Sequence, residues 1–388
     1  MLNIKRRAQS GLSLIELMIA ITLGLIILAA LLAVFVANNQ SANQTDATAE
    51  LQDNARAALD ILGRDLSMAG YWGGMYGTSA ITPCNLGTSC GTTQITTTAT
   101  AANPLYECGS NDSNGIQWAF QFANRIEFAD QLDTGSAAAA TRFPCLDSSV
   151  LQPGSDVVAI RRAAGQSAVD VSPTATSAKL TPYNFYLYSN GITASVMRAP
   201  STGVYPGSGD PPLLANTSFY KYVARLYYVR KYDHKDASGN PDNIPSLCRA
   251  ELCGSGFNAH GGSTMDSATC GDGAASASGF YAQCIADGIE SLQVEWGLNL
   301  NRTSGSDCMV DTSTSQPQAA QLSAYGLSAR ISVLVRSSQI DGSYTDNKVY
   351  NFADYSMTQA KADHYHRRIY STTVQLRNPN GDSGLCTH

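Results

Sequence analysis

Charge is what this chain has least of. Its 388 residues carry 25 Lys and Arg, 31 Asp and Glu and five His. The net charge of −6 comes with no extended basic patch, which removes the electrostatic footprint of a nucleic-acid binder. No C-x-x-C occurs among the ten cysteines, so a zinc ribbon or a thioredoxin-like redox pair is excluded. There is no H-E-x-x-H, no P-loop and no glycine fingerprint placed after a strand. Ser, His and Asp are present, but no spacing among them recommends a catalytic set, and we expect no catalytic, cofactor-binding or metal site. No internal repeat is visible. Long apolar runs are missing as well, with one exception, and the exception holds a charge.

That run covers residues 12–37, interrupted by Glu16, Ser13, Thr22 and Gly24. As a helix it reaches about 39 Å, enough to cross a hydrocarbon core of about 30 Å. Lys5, Arg6 and Arg7 precede it and no basic cluster follows, which orients the N-terminus to the cytoplasm. A cleaved secretory signal and an uncleaved anchor are the plain alternatives. The run is long for a signal core, and the helical pattern continues past it. Glu16 is the anomaly, because a carboxylate at membrane depth costs at least about 2.5 kcal/mol and calls for a role.

Between residues 46 and 70, Leu51, Ala55, Ala58, Leu59, Leu62, Leu66 and Ala69 recur at helical steps, opposite Asp53, Arg56, Asp60 and Arg64. This predicts a narrow apolar stripe packed on a sheet, ending at Gly70, with Asn43, Thr45 and Asp46 as a place where the rod could break. The remainder is rich in Gly, Ser, Thr, Ala and Asn and long enough for a substantial core. Strand patterns fall at 156–161, 184–188, 222–230, 292–298, 331–336 and 370–376, with the 292–298 segment expected to bury one face and wet the other. The stretches 84–115, 201–212, 235–279 and 301–317 read as loops. The expected fold is α+β: a long N-terminal helix packed on one antiparallel sheet with large loops, its head being one or two subdomains.

The ten cysteines are Cys84, Cys90, Cys108, Cys145, Cys248, Cys253, Cys270, Cys284, Cys308 and Cys386. Outside the cytoplasm an even count points to disulfides, with Cys248–Cys253 and Cys84–Cys90 as local candidates. Asp233 to Asp242 gathers oxygen ligands at close spacing. It reads as a polar hairpin loop, calcium being the alternative, for it lacks the EF-hand order. His364 and His366 read as a surface pair.

Gly11-Leu12-Ser13-Leu14-Ile15-Glu16 resembles the processing motif of type IV pilins and type II secretion pseudopilins. Leu12 stands where that family usually has Phe. The resemblance implies cleavage between Gly11 and Leu12 by a prepilin peptidase, methylation of Leu12, and an assembly role for Glu16 opposite a neighbour's terminal ammonium. Residues 64–73, 244–249, 286–297 and 367–378 are similar to blocks of PilW-type minor pilins, in the same order. The organisation implied is a leader (1–11), a transmembrane and filament-core helix (12–37), an amphipathic spine (38–70) and a β-rich head (71–388). The resemblance further implies an inner-membrane protein that later joins a pilus. Its partners would be other minor pilins, the major pilin, a tip adhesin, the prepilin peptidase and the inner-membrane assembly platform. The processes served would be twitching, adhesion or DNA uptake. A J-like type II secretion pseudopilin and a signal-anchored extracytoplasmic enzyme are the competing readings.

Overall fold

The structure is a computed structural model. It describes residues 13–75, 77–83, 117–120, 122–132, 146, 150–182, 184–200, 202–206, 213, 216–236, 238–253, 279–300, 309–352, 354–358 and 363–378. Helix α1 (Leu14–Met68) runs 55 residues without a break, about 83 Å of rod. The helix runs through Asn43, Thr45 and Asp46, where the rod could have broken. Thr45 and Thr48 there donate their hydroxyls to the carbonyls of Ser41 and Gln44 at 2.8 Å, satisfying the two side chains within the helix. Residues 13–46 are exposed throughout; from there Leu51, Ala55, Ala58, Leu62, Leu66 and Ala69 of the predicted stripe are buried, and Leu59 is half-buried against the same core.

The rod stops where the chain needs a left-handed residue. Gly70 has φ of +78°, and its N–H donates to the carbonyl of Arg161 at 2.9 Å. A Cβ there would lie 2.7 Å from Cδ of Arg125 and 2.9 Å from the carbonyl oxygen of Asn378, so only glycine fits.

The strands are β1 (Ile81–Pro83), β2 (Ile126–Leu132), β3 (Ser155–Ala163), β4 (Val169–Asp170), β5 (Ala178–Lys179), β6 (Phe185–Ser189), β7 (Ala194–Arg198), β8 (Val204–Tyr205), β9 (Ser218–Arg230), β10 (Ser246–Cys253), β11 (Gly279–Asp287), β12 (Ile289–Leu298), β13 (Thr312–Thr314), β14 (Gly326–Arg336), β15 (Val349–Asn351), β16 (Ser356–Thr358) and β17 (Arg367–Gln375), with a short helix α2 (Ala319–Tyr325) before β14. They form two main sheets rather than the single one expected. Sheet 1 has the order β1-β7-β6-β9-β10-β11, with β3 and β4 also on β9 and β2 on β3. Sheet 2 has the order β13-β12-β14-β17. All pairings are antiparallel except β1 with β7. The chain passes from one sheet to the other through Gly288 (φ +71°), which holds the Asp287-Gly288 turn.

The two sheets and the helix share a core. Leu51, Leu62 and Leu66 of α1 meet Ile126, Phe128, Val158 and Tyr227 of sheet 1 and Leu292, Trp296, Ile331 and Val333 of sheet 2. Phe128 and Trp296 touch edge to face at 5.4 Å and bridge the sheets. A second cluster around Trp72, Phe120, Phe122 and Tyr222 lies in sheet 1, and a third packs Tyr186, Tyr188, Tyr205 and Phe219.

Four expectations are corrected. Within 201–212, Val204–Tyr205 forms β8 on β5, and within 301–317, Thr312–Thr314 forms β13 on β12, so neither stretch is all loop. The 235–279 stretch is not all loop, because Ser246–Cys253 forms β10; Leu247, Ala250 and Leu252 bury there between β9 and β11. The polar face of β12 is not wet: Gln293 is 4% exposed and Asn299 is 5% exposed. Asn351, Phe352 and Asp354 of the ribbon made by β15 and β16 line a pocket with Gln293 and Glu295 on that face, where Glu295 keeps 28% of its side chain exposed.

Candidate functional site

Chemistry concentrates at the two ends of α1. Gly11 and Leu12 lie outside the described residues; Glu16 lies inside them. It sits in the first turn, exposed, and its Oε2 accepts the backbone N–H of Ser13 at 3.3 Å. Behind it run Leu17, Met18, Ile19, Ile21, Leu23, Leu25, Ile26, Ile27 and Leu28, each at least half exposed. A helix with so much apolar surface outside any core is covered by lipid or by other helices. Among the described residues α1 is the one helix long and apolar enough to cross a membrane.

The other end carries a carboxylate that sequence reasoning gave no role. Asp65 falls within the apolar stripe, three residues after Leu62 and four before Ala69, which is the signal that could have found it. It is 3% exposed. Arg225 grips both its oxygens (Nη1 at 2.8 and 3.1 Å), Arg162 donates at 2.8 Å, and the Tyr227 hydroxyl donates to it as well. Burial alone pushes the Asp65 carboxyl up, but Arg225 and Arg162 outweigh burial and hold it below the usual carboxylate range. Arg225 also pairs with Glu251 at 2.9 Å, and Lys221 reaches Glu251 at 3.4 Å. The spine is therefore pinned to β3, β9 and β10 through charge, in a place where apolar packing alone would let a helix rotate or slide.

A groove of about 1190 Å³ runs between α1 and the outer strand β17, lined by Arg56, Asp60, Gly63, Arg64 and residues 370–375. Its charged groups are exposed, and Arg64 pairs with Asp60 at 2.8 Å, so it offers no desolvated acid or base. Gly87-Thr88-Ser89-Cys90-Gly91 has the spacing of a nucleophile elbow and was missed by sequence reasoning. It lies outside the described residues. A run dominated by Thr follows it, poor material for the helix that an elbow requires.

Cys248 is bonded to Cys284, not to Cys253. The reason is register: Cys248 faces Cys284 directly across the β10–β11 pair, whereas Cys253 lies five residues along the same strand, too far to reach. Cys84, Cys90, Cys108, Cys145, Cys270, Cys308 and Cys386, and with them the Cys84–Cys90 candidate, lie outside the described residues.

The Asp233–Asp242 segment is organised around its own backbone. Asp242 accepts the N–H groups of Asp233, His234 and Ile244, and His234 Nδ1 stands 2.9 Å from Asp242 Oδ2. Asp233, His234 and Asp242 are close enough to share an ion, though their carboxylate oxygens already serve the turn. His364 and His366 do not act as a pair. His366 stacks on Tyr344 and contacts Asp341 at 3.0 Å, while His364 meets the Tyr344 carbonyl at 2.5 Å.

With this geometry in place, comparison with known families is informative. Residues 227–378 match the family model of type IV pilus-assembly protein W, and residues 6–32 match that of the prokaryotic N-terminal methylation motif. The first span runs from the end of β9 (Tyr227–Arg230) through β17, taking in Tyr227 and the whole of sheet 2 but not Arg225; the second takes in Gly11, Leu12 and Glu16. No curated protein and no solved structure matches the chain.

Proposed function

We infer from the two matches that this chain is a PilW-like type IV minor pilin with a structural role, anchored in the inner membrane before it joins a pilus. It is cut between Gly11 and Leu12, is methylated on Leu12, and enters the filament by its first helical half. There it helps to start assembly and to build the tip complex, in the service of twitching, adhesion or DNA uptake. Its partners are the other minor pilins, the major pilin, a tip adhesin, the prepilin peptidase and the assembly platform.

The observation that carries this reading is one unbroken 55-residue helix whose apolar half is exposed along its whole length and bears a single carboxylate at its start. Removing the leader leaves an ammonium at Leu12, one turn from Glu16. Both groups lose water when helices bundle, and each alone is heavily penalised in an apolar core. Paired between neighbours they neutralise each other in only one axial register. The hydrogen bond from Ser13 N–H to Glu16 is long at 3.3 Å, so the carboxylate is available for exchange. The spine half, locked through Asp65, makes the head turn and translate with the rod.

The test is incorporation. In cells, Glu16→Ala should leave membrane insertion intact and reduce recovery of the protein in sheared pili at least tenfold. Recovery at the wild-type level refutes the proposed role of Glu16. Mass spectrometry of the mature protein should find methylated Leu12 at the N-terminus. Loss of twitching without loss of secreted enzymes in a deletion strain separates the pilus from a type II secretion system.

A further inference from the structure

Sheet 2 ends in an edge that the fold leaves open. Strand β17 pairs with β14 without a slip, from Ser328 opposite Gln375 to Arg336 opposite Arg367. Just beyond either end, Leu376 N–H donates to the Leu327 carbonyl and Ser337 N–H to the His366 carbonyl. In an antiparallel pair such bonded positions alternate with unbonded ones. The even-numbered residues of β17 therefore turn their backbone toward β14, and the odd-numbered ones turn theirs outward. The outward carbonyl of Arg367 accepts the Tyr350 hydroxyl at 3.4 Å. After it, the outward N–H groups and carbonyls of Ile369, Ser371, Thr373 and Gln375 have no protein partner among the described residues.

Such a row is a template for another strand, and folds blunt it where it is not used. The ends of sheet 1 and the far edge of sheet 2 are blunted. Strand β1 is three residues long and ends on Pro83, β4 has two residues and β13 three. The pairings of β2 with β3 and of β11 with β10 each carry a register shift. Between Ile369 and Gln375, β17 has no proline, no charged side chain and no shift.

The open edge also has a direction. Ser338, just past β14 and beside the start of β17, donates its N–H to Glu50 at 3.1 Å; Asn378, just past β17, donates its side-chain amide to the Ala69 carbonyl at 3.4 Å. Strand β17 thus runs alongside α1 in the same sense. Between them lies the groove of about 1190 Å³, lined by Arg56, Arg64 and Arg377 against Asp53 and Asp60.

We propose that β17 accepts an added strand from a different polypeptide: an extended segment bearing a carboxylate, supplied by the head of a neighbouring subunit in the same parallel bundle of rods. The choice of a neighbouring subunit rests on the filament entry proposed above. Residues 369–375 offer about 23 Å of edge, so backbone hydrogen bonds supply the affinity and the groove supplies the selection. Its excess of arginine over aspartate favours an acidic residue on the side of the donor that faces α1. A second copy of this chain fits poorly. Antiparallel pairing of two β17 edges turns about a two-fold axis across the sheet and inverts one rod, which a shared membrane forbids. Parallel pairing turns about an axis along the strands and sets the rods on opposite faces of the joined sheet, holding their apolar halves apart.

The test is made in cells on the full-length protein, with the photocrosslinker benzoylphenylalanine in place of Gln375. Irradiated pili should yield an adduct whose second component, identified by mass spectrometry, is another protein with a prepilin N-terminus. Thr373→Pro removes an outward N–H and none that faces β14, a place where an edge strand tolerates proline. It should abolish the adduct and lower recovery in sheared pili at least fivefold, while the melting midpoint of the purified protein in micelles stays within about 3 °C of wild type. Thr373→Lys places a charge on the same edge and keeps the test open if the proline variant fails to fold; it should weaken the adduct at least threefold. No adduct, an adduct with a second copy or with residues 379–388, or one that survives both variants overturns the proposal. Wild type present in sheared pili and Thr373→Pro recovered at the same level overturns this proposal alone. Wild type absent from sheared pili overturns the filament reading and this proposal with it.

Discussion

Asp65→Asn isolates the charge that fastens rod to head. The substitution keeps the shape of the side chain and removes its charge. Arg225 retains Glu251 at 2.9 Å, so its loss is partial. Arg162 retains only the Ala163 carbonyl at 3.1 Å, with its Nε already enclosed and unpartnered. Breaking a buried ion pair from one side costs about 3–5 kcal/mol. Both arginine side chains keep about 15% of their surface in water, 14% for Arg162 and 16% for Arg225, which moves the expectation to the lower end, about 3 kcal/mol. Thermal and urea unfolding of the full-length protein in micelles, followed by near-ultraviolet circular dichroism of Trp72 and Trp296, reads this directly. The pH dependence supplies the sign. Burial raises the Asp65 pKa and the arginines lower it further, leaving the folded value below 3.8. Its stabilisation is therefore present above the unfolded pKa and disappears as pH falls through the folded one. The gap between wild type and variant should stay constant from pH 7 to 5 and narrow below about pH 4. A deficit under about 1 kcal/mol at pH 7, or one that does not narrow in acid, refutes the view that Asp65 locks the spine.

Two further outcomes follow from buried geometry. Gly70→Ala forces a left-handed φ on alanine and drives its Cβ against Arg125 and the Asn378 carbonyl, and should lower stability by about 2 kcal/mol in the same unfolding assay. Arg367→Met removes the cation that Glu290 (2.5 Å), Asp346 (3.1 Å) and Asp363 (2.6 Å) share at a site where the arginine is 1% exposed; the expected loss is about 4 kcal/mol, with faster hydrogen exchange across residues 337–366.

Local periodicity made the helix legible. Leu51, Ala55, Ala58, Leu62, Leu66 and Ala69 repeat at steps of three and four, and each is buried where the stripe places it. Strands β12, β14 and β17 of sheet 2 were legible for the same reason, since Leu292, Val294 and Trp296 alternate with polar residues and Ile331, Val333 and Val335 recur at every second position; β13 lay in a stretch read as loop. What pairs with what was not. Asp65 meets Arg225 across 160 residues and Arg162 across 97, and such distances leave no trace in spacing. Cys248 meets Cys284 because β10 and β11 pair in that register, and β10 was hidden among Gly, Ser and Asp typical of loops. The polar face of β12 was read as wet because alternation reports which residues share a face, not whether a later segment returns to cover it.

The same distinction explains why α1 carries its two acids so differently. Asp65 has its partners inside the chain, and their three donors fix the head on the rod. Glu16 has only the Ser13 N–H, at 3.3 Å, among the described residues. A carboxylate with one long hydrogen bond on an apolar helix is not at rest in lipid. A fold that satisfies every charge internally has no reason to assemble; one that leaves a single apolar-embedded charge short of partners gains by placing a second copy's cation beside it. The 55-residue helix joins the two ends, so under the role proposed for Glu16 a register chosen there would reach the head through Asp65. Weakening Asp65 should therefore leave processing and insertion untouched while letting heads sit at variable heights on correctly bundled rods, a disorder visible as lost head features in filament images.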